Sequence, residues 1–230
     1  MRRLLIGVTS AILKGVYRLF GGFRVAGLEN LPATGAAIIA PNHLSWADPP
    51  AIRSVIRRTC WFMANDFLFR VPVLGCLIPL YGAFPVKRGR VDRAALHLAE
   101  EHLKKGDLVV IFPEGGTSLS GRLVPFESGV ALLAIRNGVP VIPLAITGTD
   151  RVLPAARPIP RFARGGVTLR FGPPIQPGEP ENQSERRRRI DTLTREIEAA
   201  VTAMLPEAYR PEAAPLPEAA SLTPAEPPPQ

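Results

Sequence analysis

Between residues 36 and 205, short apolar runs alternate with segments of helical period, and this order restricts the fold more than any other property of the chain. The runs fall at 36–40, 61–63, 82–86, 108–112, 141–146 and 167–171, and their brevity and Val/Ile content read as strands. Helical periodicity occupies 49–57, 92–104, 128–137 and 183–205. The third of these stops at Asn137-Gly138, and the fourth opens on Asn182 with Glu185 three residues later, a capping box. Ile190, Leu193, Ile197 and Val201 then make a single apolar stripe. A strand that is followed by a helix returns to the same edge of its sheet, so the neighbouring strands run parallel. The expectation is an α/β fold: one layered domain over 25–205 with a largely parallel mixed sheet, an N-terminal amphipathic helix and a C-terminal helix.

The two ends differ from this body. Over 1–24, Leu4, Leu5, Val8, Ile12, Val16, Leu19 and Phe20 recur at helical spacing, with Arg2, Arg3, Lys14 and Arg18 between them. Cations interrupt the apolar stretch before it reaches the roughly 18 residues that would span a bilayer. A basic amphipathic helix of this kind lies in a membrane interface or packs on the protein's own core. Residues 206–230 hold eight of the 26 prolines, separated by Ala and Glu, a composition that buries little and reads as a disordered tail. Net charge is +8; the tail contributes four Glu against Arg210, so 1–205 carries about +11. That excess suits anionic partners such as phosphorylated substrates or an anionic membrane surface. Cys60 and Cys76 have apolar neighbours and no metal-ligand spacing, and are expected to be buried, reduced thiols. This fits a reducing cytoplasm.

Four blocks carry candidate chemistry. Asn42-His43-Leu44-Ser45-Trp46-Ala47-Asp48 follows the first apolar run and sets an imidazole five residues ahead of a carboxylate. His43 has the right chemistry for a general base, and Asp48 for orienting it, provided that 43–47 form a turn, which Asn42 and Ser45 favour. A competing reading makes Asp48 an ordinary helix N-cap before Pro49-Pro50, accepting the Ala51 N–H. Ala83–Gly89 ends a run in Lys87 and Arg88, a point charge and a fork that suit a phosphate. Phe112-Pro-Glu-Gly-Gly-Thr-Ser118 ends another in glycines and hydroxyls. There the N–H groups of Gly115, Gly116, Thr117 and Ser118 can meet an anion or an oxyanion, and Glu114 can accept from a hydroxyl. Val139–Ile146 is a core strand broken by Pro143. In a parallel sheet, ligands gather beyond the carboxyl ends of strands, where the first three blocks would sit. His97 and His102 read as ordinary helix residues.

In this order the blocks resemble the glycerolipid acyltransferase family typified by 1-acylglycerol-3-phosphate acyltransferases. Asn42-His43…Ser45…Asp48 matches that family's Asn-His-x-Ser-x-x-Asp block, Phe84–Gly89 its cationic block, Phe112–Ser118 its Phe-Pro-Glu-Gly-Thr-Arg-Ser block and Val139–Pro143 its Val-Pro-x-x-Pro block. The resemblance covers about residues 25–175 and implies transfer of a fatty acyl group from acyl-CoA or acyl-carrier protein to the hydroxyl of a lysophospholipid. His43 would deprotonate that hydroxyl, Asp48 would hold the imidazole, and Ser45 would order the turn without acting as a nucleophile. No metal or cofactor is required beyond the thioester co-substrate. The expected acceptor is 1-acylglycerol-3-phosphate, giving phosphatidic acid, with the enzyme peripheral on the cytoplasmic face of the membrane. Two departures bear on the acceptor. Gly116 and Thr117 stand where the family has Thr and Arg, and Glu127 stands where a Lys is common. Arg122 is the candidate replacement cation. The departures make another lysolipid, such as a lyso-aminolipid, the alternative acceptor, and a transacylase the alternative reaction. A non-catalytic basic protein on a membrane or nucleic acid is the alternative class. Few aromatics interleave the cations, so nucleic acid is not an expected partner.

Overall fold

The computed structural model describes residues 2–72, 74–87, 92–154 and 161–212. In chain order the elements are α1 (Arg2–Leu19), β1 (Phe23–Ala26), β2 (Ala37–Pro41), α2 (Asp48–Val55), β3 (Cys60–Asn65), α3 (Leu74–Leu80), β4 (Ala83–Val86), α4 (Arg93–Lys104), β5 (Leu108–Val110), α5 (Gly129–Asn137), β6 (Val141–Thr147), α6 (Thr149–Val152), β7 (Val167–Phe171) and α7 (Gln183–Met204). The strands form one sheet in the order β1-β7-β6-β2-β5-β3-β4. All neighbours are parallel except β6 and β7. The α/β architecture with a largely parallel sheet is therefore as the alternation predicts.

Both faces of the sheet are covered, which is why the central runs are apolar without alternation. Ile38, Ala40, Val109, Val141 and Ala145 point to one face, under α4, α5 and α7. Ala37, Ile39, Val110, Ile142 and Leu144 point to the other, under α1 and α2. The stripe Leu193, Ile197 and Val201 is fully buried on the first face. Pro143 sits inside β6 without breaking it. Its carbonyl accepts from Gly172 N at 2.8 Å, just past the end of β7, so the missing N–H falls on the side where the β7 ladder runs out.

Three expectations change. β1 has no counterpart among the sequence-derived strands, because Phe23-Arg24-Val25-Ala26 is a four-residue edge strand whose last three residues are exposed. Cys60 is buried, but Cys76 is exposed on α3 rather than buried. In α1, the apolar pattern divides between two faces. Leu13, Tyr17 and Phe20 pack against the core, whereas Val8, Ile12, Val16 and Leu19 face outward. At the other end, Glu207–Tyr209 forms a 3-10 turn held to the body by the Leu123 N–H, which donates to the Tyr209 carbonyl. The rest of the expected tail, from 213, lies outside the described residues.

β2, β3, β4, β5 and β6 all end at one edge of the sheet. β1 and β7, which oppose β6, begin there. Everything that follows the first five strands, or precedes the last two, therefore collects along this edge.

Candidate functional site

His43 follows the end of β2, the strand at the middle of the sheet. Residues 42–48 turn sharply, and the turn is tied on all sides. Asn42 Nδ2 donates to the Ile146 carbonyl at 3.0 Å, and Asn42 Oδ1 accepts from Ile146 N at 2.7 Å, so this buried amide extends the pairing of β2 with β6. Ser45 Oγ donates to the Leu153 carbonyl and accepts from Ala47 N. The Tyr17 hydroxyl donates to the Ala47 carbonyl at 2.7 Å, which fastens α1 to the turn. Burial raises the Tyr17 pKa, so the phenol stays protonated and remains a donor.

The carboxylate of Asp48 is fully buried and turns back into this loop. Its Oδ2 accepts from His43 Nδ1 at 2.8 Å, Leu44 N at 2.7 Å and Ser45 N at 2.8 Å. The N-cap reading of Asp48 is thus corrected. α2 begins with Asp48 as its first residue, Ala47 precedes the helix, and the Ala51 N–H donates to the Ala47 carbonyl. Three donors converging on one oxygen win over a single helical N–H. The aspartate still benefits from the positive end of α2.

A second loop, after β5, grips His43 from the other side. Glu114 Oε1 accepts from His43 N at 2.7 Å, and the His43 carbonyl accepts from Ser118 N at 2.8 Å. Phe112 stacks on the imidazole with ring centroids 4.0 Å apart. Nδ1 donates to the carboxylate, so Nε2 carries the lone pair, and its neighbour is Thr117 Oγ1 at 3.2 Å. Glu114 does not stand free to meet a hydroxyl, as its sequence position suggests. Its second oxygen accepts from Val124 N at 3.3 Å, and burial pushes its pKa up to about 7. It therefore ties the 42–48 turn to the chain at Val124.

The structure brings together Asn42, His43, Ser45, Asp48, Glu114, Thr117 and Ser118. Gly115 supports them with a left-handed φ of 68°, and a Cβ there would lie 2.7 Å from Glu127 Oε1. Gly116 lies half-buried between Gly115 and Thr117. Lys87 sits apart. It is exposed at the end of the edge strand β4, three strand spacings from β2 or roughly 14 Å, and its N–H donates to Asp92. Arg88 lies outside the described residues. Arg122 Nη1 donates to the Arg210 carbonyl at 3.3 Å, so its guanidinium reaches the C-terminal segment. Three groups were not singled out from sequence: Tyr17, Phe112 as a stacking partner, and the Leu153 carbonyl. The Tyr17 register on α1 is the one signal that was available, since it falls on the inward face.

A family model described as Acyltransferase matches residues 22–147, more than half the chain. A chloroplastic 1-acyl-sn-glycerol-3-phosphate acyltransferase of Brassica napus is 36% identical over 135 residues, covering 56% of this chain and 38% of that protein. A Bacillus subtilis 1-acyl-sn-glycerol-3-phosphate acyltransferase is 29% identical over 164 residues, covering 71% and 78%. The crystal structure of a 1-acyl-sn-glycerophosphate acyltransferase from Thermotoga maritima superposes with a TM-score of 0.67 at 29% identity, over 86% of this chain and 80% of that one. The match to the Brassica protein and to a similar Arabidopsis thaliana protein spans 38% of each one's length.

Proposed function

The chain belongs to the acyltransferase family, and we propose that it transfers a fatty acyl group from acyl-CoA or acyl-carrier protein to the hydroxyl of a lysophospholipid. The first-choice acceptor is 1-acylglycerol-3-phosphate, with phosphatidic acid as the product. One observation carries the reading: an imidazole whose Nδ1 is held at 2.8 Å by a buried aspartate and whose Nε2 faces the ligand-gathering edge of the sheet. In that geometry His43 takes the proton from the acceptor hydroxyl as its oxygen attacks the acyl carbonyl, and Asp48 stabilises the imidazolium that forms. The proton then passes to the leaving thiolate. The scheme needs no metal or cofactor, because the base is a side chain and the thioester supplies the activated acyl group.

The site is proposed to work at a membrane surface, on its cytoplasmic side and without crossing it. Among the described residues no helix is long and apolar enough to cross. Support comes from the outward stripe of α1, where Ile12 is 59% and Leu19 75% exposed. Leu19, Trp46, Phe67, Leu119 and Phe162 are all exposed apolar side chains that lie at the sheet edge holding His43. Arg18, Lys87 and Arg161 are exposed along the same edge and complement an anionic surface.

Purified protein with lysophosphatidic acid and an acyl-CoA is expected to release CoA, and His43→Ala to slow that release by at least about 10². Unchanged turnover in the variant would remove His43 as the base. A second reading, with an acceptor that lacks a phosphate, is favoured by the cations. Of the two described cations that the sequence offered for a phosphate, Lys87 is three strands away from β2 and Arg122 is turned to Arg210. A panel of lysolipids decides between the two, and a preference for a lyso-aminolipid over lysophosphatidic acid would replace the first choice.

A further inference from the structure

Residues 42–48 and 112–118, which hold His43, carry three hydroxyls, and two of them are committed to backbone. Ser45 Oγ donates to the Leu153 carbonyl and accepts from Ala47 N, and Ser118 Oγ donates to the Arg122 carbonyl at 2.6 Å. The third, Thr117 Oγ1, has no partner among the described residues except His43 Nε2, at 3.2 Å. With Nδ1 donating to Asp48, the neutral imidazole offers Nε2 as its acceptor, and in that form the threonine hydroxyl is the donor. Its proton already lies on the path that a general base would take it along. A hydroxyl, an imidazole and a buried carboxylate joined in that order are the means by which enzymes turn an alcohol into a nucleophile, and the 3.2 Å separation is within working reach. The N–H groups of Gly116 and Thr117 have no acceptor among the described residues, which leaves them available to an oxyanion forming beside Oγ1.

We propose that Thr117 is itself an acyl acceptor: with a thioester bound and no lysolipid hydroxyl at Nε2, the acyl group passes to Thr117 Oγ1. The proposal rests on the acyltransferase reading above. In the first step Oγ1 bonds to the thioester carbon while its proton moves to His43 Nε2. The C–S bond then breaks, and the proton passes from His43 to the leaving thiolate, giving a free thiol and O-acyl-Thr117. In the second step a lysolipid hydroxyl gives its proton to Nε2 and bonds to the acyl carbon. The bond to Oγ1 breaks, and Oγ1 recovers a proton from His43. Both steps use the same base, and neither needs an oxidant, a reductant or a metal.

The test is to incubate the full chain with palmitoyl-CoA alone, measuring thiol release and intact mass. The expected result is release of about one equivalent of CoA, a mass gain of one palmitoyl group on the peptide that contains Thr117, and loss of that group when an acceptor lysolipid is added. Thr117→Val, which keeps the shape and removes the oxygen, is expected to lower the rate of acceptor-independent release at least about 10²-fold, as is His43→Ala. Thr117→Ser is expected to keep the adduct, which separates loss of the hydroxyl from loss of the fold. Wild-type protein that acylates a lysolipid but never carries the group on Thr117, or carries one that lysolipid does not discharge, overturns the proposal and leaves the proposed function standing. Absence of thiol release with every lysolipid tried overturns both.

Discussion

Replacing Asp48 by Asn isolates the charge of the aspartate from its shape. Asp48 Oδ2 holds three N–H donors, while Oδ1 has no partner among the described residues. An asparagine can set its carbonyl at the Oδ2 position, keep all three donors, and turn its NH2 to the side where no donor points. The turn at 43–48 should therefore survive. What is lost is the attraction between the carboxylate and the imidazolium that appears during transfer. With Nδ1 and Oδ2 2.8 Å apart, the charge centres are about 4 Å apart, and at an effective dielectric constant near 20 their interaction is about 4 kcal/mol. If that attraction is felt only in the transition state, kcat falls about 10³-fold while KM stays within a few-fold. The assay is CoA release with a lysolipid acceptor at saturating thioester, repeated across pH. Three bonds to a charged acceptor become bonds to a neutral one, a loss of roughly 1 kcal/mol each at most, so Tm should drop by several degrees without loss of the folded state. A variant that stays folded and retains kcat within about tenfold of wild type would show that the aspartate only shapes the turn, and would refute its assignment to charge stabilisation.

The same geometry gives further expected outcomes. Glu114 titrates near 7 in the folded protein against an ordinary value of 4.5, so its stabilising contribution is complete below pH 4.5 and is lost as pH rises towards 7. Glu114→Gln removes that titration, and urea midpoints at pH 5 and pH 8 should then lie closer together, by up to about 3 kcal/mol of unfolding free energy. An unaltered gap would mean that burial does not set the Glu114 pKa. Asn42→Ala strips both partners from the Ile146 peptide, which is buried between β2 and the β6–β7 ladder, and should cost about 2–5 kcal/mol in chemical denaturation. On α1, Ile12→Asp and Leu19→Asp change side chains that touch no core. Each should weaken binding to anionic vesicles about tenfold or more in co-sedimentation with Tm nearly unchanged, whereas equal binding would place the membrane contact elsewhere.

How much of this was legible in the chain depended on whether the deciding partner was near in sequence. The strands of the centre were legible because Ile38–Ala40, Val109–Val110 and Val141–Ile146 are buried on both faces, and such runs need no knowledge of their neighbours. β1 was not, since it is held only by a register with β7 that begins 144 residues later, at Phe23 against Val167. His43 and Asp48 were legible as a pair through their chemistry and spacing. The direction of the carboxylate was not, because a helix start offers an acceptor the forward N–H of Ala51 as readily as the backward N–H groups of Leu44 and Ser45. Glu114 was read as an acceptor for a ligand hydroxyl beside the glycine-rich loop, and in the structure its oxygens accept from backbone N–H groups. It faces the backbone of His43, 71 residues earlier, and no local pattern announces a contact with a peptide group.

Thr117 shows the same limit more sharply. In the linear chain it registers as a loss, an arginine position filled by an uncharged residue, and that loss bears on the acceptor's head group. In space it is a gain, because the shorter side chain puts a hydroxyl within 3.2 Å of the only nitrogen of His43 that is left to do chemistry. A guanidinium there would lack an oxygen to acylate and would place a fixed positive charge beside an imidazole that must itself become positive. One substitution can therefore alter two properties, the charge offered to the acceptor and the nucleophilicity of the loop. Only the second depends on the distance to Nε2, which is why the acyl adduct on Thr117, and not the acceptor panel, tests it.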